Sequence, residues 1–292
     1  CGHCLKVTRG RGADEFKTAQ EKYFGEASPL LGSAPSGMDE EILKERQRIT
    51  SRYLAGHGAV VEVGPGAGFF ASWLRARGHD VTLVEQSEAL AQALRRKLDV
   101  RVETAEFEGG VLGALRAKAF FSFHVIEHVV EPTLHLRAGF EAVEVGGLGF
   151  IATPSARSWQ QRLFQKLSPS FDSAHLRVFS VASLEAACLQ VGWRILAIDT
   201  PEFTSGWLRM ISKVVRKLKR EDAERTAGKY AAMSSAFFSQ TYALVSFLTY
   251  PLRRLQRAAG GGSEVLVVLQ RPIGSIANDT SLSSLSALRG RG

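Results

Sequence analysis

Phe123-His124-Val125-Ile126-Glu127-His128-Val129 places two imidazoles and a carboxylate within a few positions of one another. His-x-x-Glu-His is the spacing of the inverzincin metalloproteases, where two histidines one helical turn apart bind zinc and the glutamate acts as base. That chemistry needs a helix. Residues 119–123 read instead as a strand, and Pro132 opens a helix soon after, so the string falls on the loop between them. The protease reading lacks its structural context.

A second constellation lies upstream. In Val61-Glu62-Val63-Gly64-Pro65-Gly66-Ala67-Gly68-Phe69, three glycines separate a short apolar run, 59–63, from a helical pattern over 69–78. Glycine lets the chain turn tightly there and lets the backbone approach a ligand without an intervening Cβ. A dinucleotide fingerprint, G-x-G-x-x-G, would put glycine at position 69, which is Phe69. The G-x-G-x-G spacing suits a pyrophosphate clamp less well and disfavours an NAD-type oxidoreductase. Glu85 stands 85 − 64 = 21 positions after Gly64, at the end of the next apolar run. An acid there can accept hydrogen bonds from both hydroxyls of a ribose. Cys1-x-x-Cys4 is half of a zinc knuckle, short of the four ligands tetrahedral zinc requires, and is expected to be a metal-free remnant. Cys188 sits in a helical pattern and is expected in the core.

These residues need a scaffold. The chain has 292 residues, 45% of them apolar and 23% charged, which is ordinary for a folded protein with a sizeable core. Short apolar runs at 59–63, 80–84, 100–102, 119–123, 148–152, 193–198 and 264–269 alternate with helical patterns at 69–78, 87–97, 132–145 and 183–191. Strands alternating with helices predict a parallel, doubly wound sheet, here of seven strands in a Rossmann-like arrangement. A charged helix over 39–52 is expected to lie on this core. The net charge of +8 favours anionic partners without choosing among them. Three cysteines give no disulfide framework and point to a reducing, cytoplasmic setting. The chain opens at Cys1 without a methionine or a signal-peptide pattern, so a preceding piece is expected.

E-V-G-P-G-A-G, then L-V-E, then H-V-I-E-H-V-V-E-P, then V-G-G-L-G-F-I-A-T-P-S resembles the class I S-adenosylmethionine-dependent methyltransferases, in the broad subgroup that includes the ubiquinone-biosynthesis O-methyltransferases. The match covers about 55–200 and resumes over 263–272. The resemblance implies that Glu62, Gly64, Gly66 and Gly68 line the methionine part of the cofactor and that Glu85 holds its ribose. It places Ala105, Glu106 and Phe107 near the adenine, although the usual Asp is missing from Glu103-Thr104-Ala105-Glu106-Phe107. It also implies that His124 stands beside the cofactor. Some ubiquinone-type relatives carry Glu, Glu and His in this region and hold a divalent cation there. This chain has His124 at the first of those positions, which makes Mg²⁺ less natural, and no metal is expected. A sulfonium methyl is already activated, so transfer is mostly a matter of positioning, and a hydroxyl acceptor gains from a histidine base. His124, His128 and His175 are the catalytic candidates. Each can equally brace its loop by hydrogen bonds. His175 lies in a stretch resembling the H-L-x-x-F-[ST] segment that borders the substrate cavity in the subgroup.

The expected organisation is an N-terminal segment over 1–55, a cofactor-binding core over 56–202, a helical insertion over 203–262, the last core strand over 263–272 and a disordered tail over 273–292. In the insertion, Trp207, Ile211, Val214, Val215 and Leu218 share one helical face, with Arg209, Lys213, Arg216, Lys217, Lys219 and Arg220 over most of the rest. Residues 230–252 carry no formal charge and are long enough to span a bilayer, but hydroxyl residues dilute them. A single span would also put the last two strands on opposite sides of the membrane. A soluble two-helix cap is the first expectation, and peripheral contact with the inner face of a membrane through 203–257 the second. The expected activity is methyl transfer to a small-molecule acceptor, at the hydroxyl oxygen of a quinone precursor, a sugar, a lipid-linked glycan or a natural product. The alternative is a non-catalytic methyltransferase-like binding module. No base-flipping string accompanies the basic residues, so nucleic acid is not an expected partner.

Overall fold

A computed structural model describes residues 4–6, 34–107, 115–164, 175–208 and 236–273. Helix α1 (Gly37–Tyr53) starts at a Ser36–Asp39 capping box. Then follow β2 (Ala59–Val63), α2 (Phe69–Ala76), β3 (Asp80–Glu85), α3 (Glu88–Leu98) and β4 (Arg101–Thr104). The second half runs β5 (Ala117–Phe123), α4 (Pro132–Ala142), β6 (Val143–Pro154), α5 (Trp159–Phe164), β7 (Arg177–Phe179), α6 (Val181–Val191) and β8 (Arg194–Asp199). Helix α7 (Ala236–Ala258) and β9 (Glu264–Gln270) complete it. A short strand β1 (Cys4–Lys6) pairs antiparallel with β7.

The main sheet has seven strands in the order β4-β3-β2-β5-β6-β9-β8. Neighbours from β4 through β6 are parallel, but β9 runs antiparallel to both β6 and β8. The expectation of an all-parallel sheet is therefore corrected to a mixed one. The long connection after β8 lets β9 enter from the opposite end, so no crossover helix dictates its direction. Period-2 alternation divides β5 between the two helical layers. Phe120 packs with Ile126, Leu136 and Trp193 on one side. Phe121 packs with Phe70, Leu83 and Phe150 on the other. Both rings are fully buried.

Two boundaries differ from the sequence pattern. The helix expected over 132–145 ends at Ala142, and β6 begins at Val143 rather than 148. Gly146 donates to the Arg271 carbonyl and Arg271 donates to the Gly147 carbonyl. These bonds extend the ladder below the apolar run. Of the expected insertion, only 203–208 and 236–262 fall among the described residues. Helix α7 packs on α1 there. The basic stretch from Arg209 to Arg220, Cys1 and the tail beyond Ile273 lie outside them.

Candidate active site

Parallel strands β2, β3, β4 and β5 deliver their carboxyl ends to one edge of the sheet, where open α/β folds bind ligands. The glycine loop leaves β2 at this edge. Gly64 has φ +62°, and a Cβ on it would meet Val125 Cγ2 at 2.6 Å. Glycine at 64 thus lets the loop after β2 close against the loop after β5. Gly66, with φ +54°, faces open space, and a Cβ there would meet nothing within 4 Å. Gly68 faces the opposite way: a Cβ on it would press Leu98 Cδ1 at 2.7 Å, so its role in packing is to let α3 close under the loop. Lys97 donates to the Ala67 carbonyl at 3.0 Å and sits over the Phe69 ring, tying the loop to α3.

Two buried carboxyl groups stand near the carboxyl ends of β2 and β3, at this same sheet edge. Glu62 is 4% exposed, and its Oε2 has no hydrogen-bond partner among the described residues. Burial pushes its pKa up to about 8. Glu85 is buried at the end of β3. Burial raises it to about 7, against the opposing hydrogen bonds from the Ser87 and Gln86 amides. Its Oε1 accepts the Ser87 amide at 2.9 Å. A buried carboxyl with an orphaned oxygen, on the strand that leads into the glycine loop, is a cradle for donors the described residues do not themselves supply. An ammonium for Glu62 and two ribose hydroxyls for Glu85 are such donors, so the residues present fit S-adenosylmethionine. Ala105 is half-buried, with its amide bonded to the Glu85 carbonyl at 3.2 Å. Glu106 is exposed, while Phe107 is buried and lies 3.7 Å from where a Gly64 Cβ would be.

Beyond β5 the chain does not form a helix: His124 lies in a bend and residues 126–128 form a turn. The inverzincin geometry is therefore absent. His124 adopts φ +57°, an uncommon conformation outside glycine. Its amide donates to the Ala152 carbonyl at 2.8 Å. The twist turns its ring so that Nδ1 lies 3.2 Å from Glu127 Oε1 and Nε2 lies 2.7 Å from Glu264 Oε2. The surrounding protein disfavours charge on the ring even though 43% of the side chain stays exposed, but Glu127 and Glu264 outweigh this and raise His124 to about 9. The imidazolium in turn helps hold both carboxylates ionised. Burial would raise Glu127, yet His124 first, then His128 and His175, bring it down to about 2. Glu264 falls to about 2 against the same penalty, through Arg46 and His124. Arg46 meets Glu264 in a buried two-pronged pair.

Glu127 is fully buried and is the centre of the cluster. Thr153 donates to its Oε2 at 2.9 Å, and His128 Nε2 lies 4.0 Å from its Oε1. The Glu127 carbonyl accepts the Leu176 and Arg177 amides, which straps the segment bearing His175 onto this loop. The rings of His128 and His175 meet edge to face with centroids 4.9 Å apart. One ligand atom each from Glu127, His128 and His175 lies within 4.8 Å of the others, a spacing that could hold a metal ion. Two imidazoles and one carboxylate suit zinc-like cations better than Mg²⁺.

The three histidines singled out in the sequence thus come together, and the glycine loop meets their loop through Gly64 and Val125. Sequence reasoning missed Arg46, Glu264 and Thr153. An acid opening the apolar run of β9 was the available signal for Glu264. It also missed His135, which is buried between Ser122 Oγ at 2.8 Å and the Phe107 carbonyl at 3.0 Å. Burial lowers His135 to about 4 and keeps it neutral.

A family model described as a methyltransferase domain matches residues 36–198, which is 163 of the 292 residues. The chain belongs to this methyltransferase family. Solved structures share its fold. The cyclase SpnF aligns with TM-score 0.58 at 14% identity, over 89% of this chain and 96% of that one. An Archaeoglobus fulgidus S-adenosylmethionine-dependent methyltransferase aligns with TM-score 0.54 at 17% identity, over 85% and 99%. The Burkholderia thailandensis 1,6-didemethyltoxoflavin-N1-methyltransferase, solved with bound 1,6-didemethyltoxoflavin and S-adenosylhomocysteine, aligns with TM-score 0.53 at 12% identity, over 92% and 95%. A comparison with curated protein sequences finds no significant match. The methyltransferase is thus a class I enzyme with S-adenosylmethionine as its cofactor.

The buried Glu62 carries a stability consequence. Its folded pKa, about 8, exceeds the ordinary 4.5, so the folded state binds the extra proton between these values. Stability of the cofactor-free methyltransferase therefore falls as pH rises through that window. Glu62→Gln is expected to melt about 3 °C or more above wild type at pH 8, with the difference vanishing near pH 4. Thermal melts across pH check this, and a variant less stable than wild type at pH 8 contradicts it.

Proposed function

We propose that this methyltransferase alkylates a hydroxyl oxygen of a small-molecule acceptor and that the His128–His175 pair receives the hydroxyl proton. The observation that carries the reading is Glu127, a buried carboxylate held ionised, with His124, His128 and His175 gathered round it. Bound S-adenosylmethionine supplies a methyl group already activated on a sulfonium. The chain supplies position and a proton acceptor. Glu62 would hold the ammonium of the cofactor and Glu85 its ribose hydroxyls, and the glycine loop would let it lie close to the backbone. His124, charged by its two carboxylates, is suited to holding the loop rather than to accepting a proton. Glu127 orients and stabilises the imidazolium that forms on His128, as a carboxylate behind a histidine base does. Resemblance to the ubiquinone-type subgroup supports a quinone precursor, a sugar, a lipid-linked glycan or a natural product as the acceptor.

The test is a methyl-transfer screen over hydroxylated acceptors of these classes. His128→Ala and His175→Ala are expected to lower kcat at least about 100-fold in one of the two, with affinity for S-adenosylhomocysteine unchanged. Activity is expected to survive exhaustive treatment with a chelator. Loss of activity on chelation, restored by a zinc-like cation, would replace the base by a metal held on Glu127, His128 and His175. Equal kcat in wild type and both variants contradicts the base.

A further inference from the structure

Helix α7 turns the wrong face outward for a helix in water. Its inner face is polar: Arg253 pairs with Glu41, and Arg257 with Glu45 and Asp199. Gln256, fully buried, donates to Gln160 and Glu202. The outer face carries Leu244, Phe247, Leu248, Leu252 and Leu255, with Phe247 78% and Leu248 65% exposed. Leu244, Phe247, Leu248 and Leu255 follow the i, i+3, i+4 spacing of one helical stripe, extended through Pro251. Tyr250 and Arg254 flank it, both exposed, with the guanidinium 5.9 Å from the ring centroid.

The whole-molecule balance bears on what meets this face. Between Glu224 and Glu264 the sequence has no acidic residue, and the chain carries +8 overall. Arg254 is the cation on the outer face that no acidic side chain pairs among the described ion pairs. No described helix is long and apolar enough to cross a membrane. An exposed stripe of leucine and phenylalanine, bordered by tyrosine and arginine and free of acids, has the composition of a helix lying in the plane of a bilayer interface. Charge complementarity then selects anionic lipid.

We infer that the outer face of α7 is a docking surface for a bilayer containing anionic lipid. Phe247, Leu248 and Leu255 enter the headgroup–acyl boundary, and Arg254 meets lipid phosphate. A chain of ion pairs through one helix layer connects the surface to the active site. The inner face of α7 holds α1 by Glu41 and Glu45, and Arg46 of α1 holds Glu264 and so His124. The inference stands on this face alone and does not depend on which acceptor is methylated.

Co-sedimentation of the full chain with vesicles tests it. The vesicles are pure phosphatidylcholine, or phosphatidylcholine with about one third phosphatidylglycerol. The wild type is expected to pellet with the anionic vesicles and to be released by high salt. Phe247→Glu/Leu255→Glu is expected to lose at least about 10-fold in partitioning while still binding S-adenosylhomocysteine like wild type, which shows that it folds. Failure of the wild type to bind either vesicle overturns the inference, and so does unchanged binding by the variant. Concentration-dependent dimerisation of the wild type that the variant abolishes, without vesicle binding, would assign the face to a second copy of the chain.

Discussion

Glu85→Ala is expected to weaken binding of S-adenosylhomocysteine about 100-fold, because the two ribose hydroxyls lose charge-assisted hydrogen bonds of about 1.5 kcal/mol each to the buried carboxylate. The same residue sets a pH dependence. Burial raises Glu85 to about 7 and Glu62 to about 8 in the free protein. Ribose hydroxyls and an ammonium are bound by the ionised forms. Binding therefore releases protons, and affinity rises from pH 6 to pH 8. In Glu85→Ala that rise flattens, leaving only the part carried by Glu62. Calorimetric titration in buffers of different ionisation enthalpy reads both the affinity and the proton release. Affinity within about threefold of wild type would remove Glu85 from the site.

The second large effect is on stability. Arg46→Met is expected to destabilise the fold by about 3–5 kcal/mol, because it leaves the buried Glu264 carboxylate without its guanidinium. At this chain length that corresponds to a fall of about 10 °C in Tm. Arg46→Met/Glu264→Gln is expected to recover most of it, since a neutral side chain replaces the stranded charge. The pair has its own acid signature. Glu264 is lowered to about 2 from an ordinary 4.5. Its contribution is present above 4.5 and is lost as pH falls through that value toward 2. The single variant should lose part of this acid dependence, and the double variant more. A single variant as stable as wild type would show that the ion pair adds nothing to the fold.

The parts of this account legible in the sequence are those with a local cause. Strands buried on both faces read as continuous apolar runs, so β2, β3, β5 and β9 could be placed from residue type alone. The glycine spacing marks the loop after β2 because the left-handed backbone there needs glycine at 64 and 66. Direction and pairing were not legible. Nothing in Glu264-Val265-Leu266-Val267 says that β9 runs against β6. Arg46 and Glu264 are 218 residues apart, and on its helix Arg46 looks like any other exposed charge. The positive φ of His124 is likewise invisible in a histidine, yet it decides that both ring nitrogens find carboxylates. That contact separates His124 from His128 and His175, which the sequence presents as equals.

Amide hydrogen exchange with and without S-adenosylhomocysteine tests the central claim most directly, because it reads where the cofactor lies without knowing the acceptor. Protection is expected to concentrate in 62–68, in 85–88 and in the loop 122–128, with α7 and the β8 edge unchanged. No protection in the glycine loop, or protection centred elsewhere in a folded chain, would contradict the placement of the cofactor against Glu62 and Glu85, and with it the methyl-transfer geometry built on the histidine cluster.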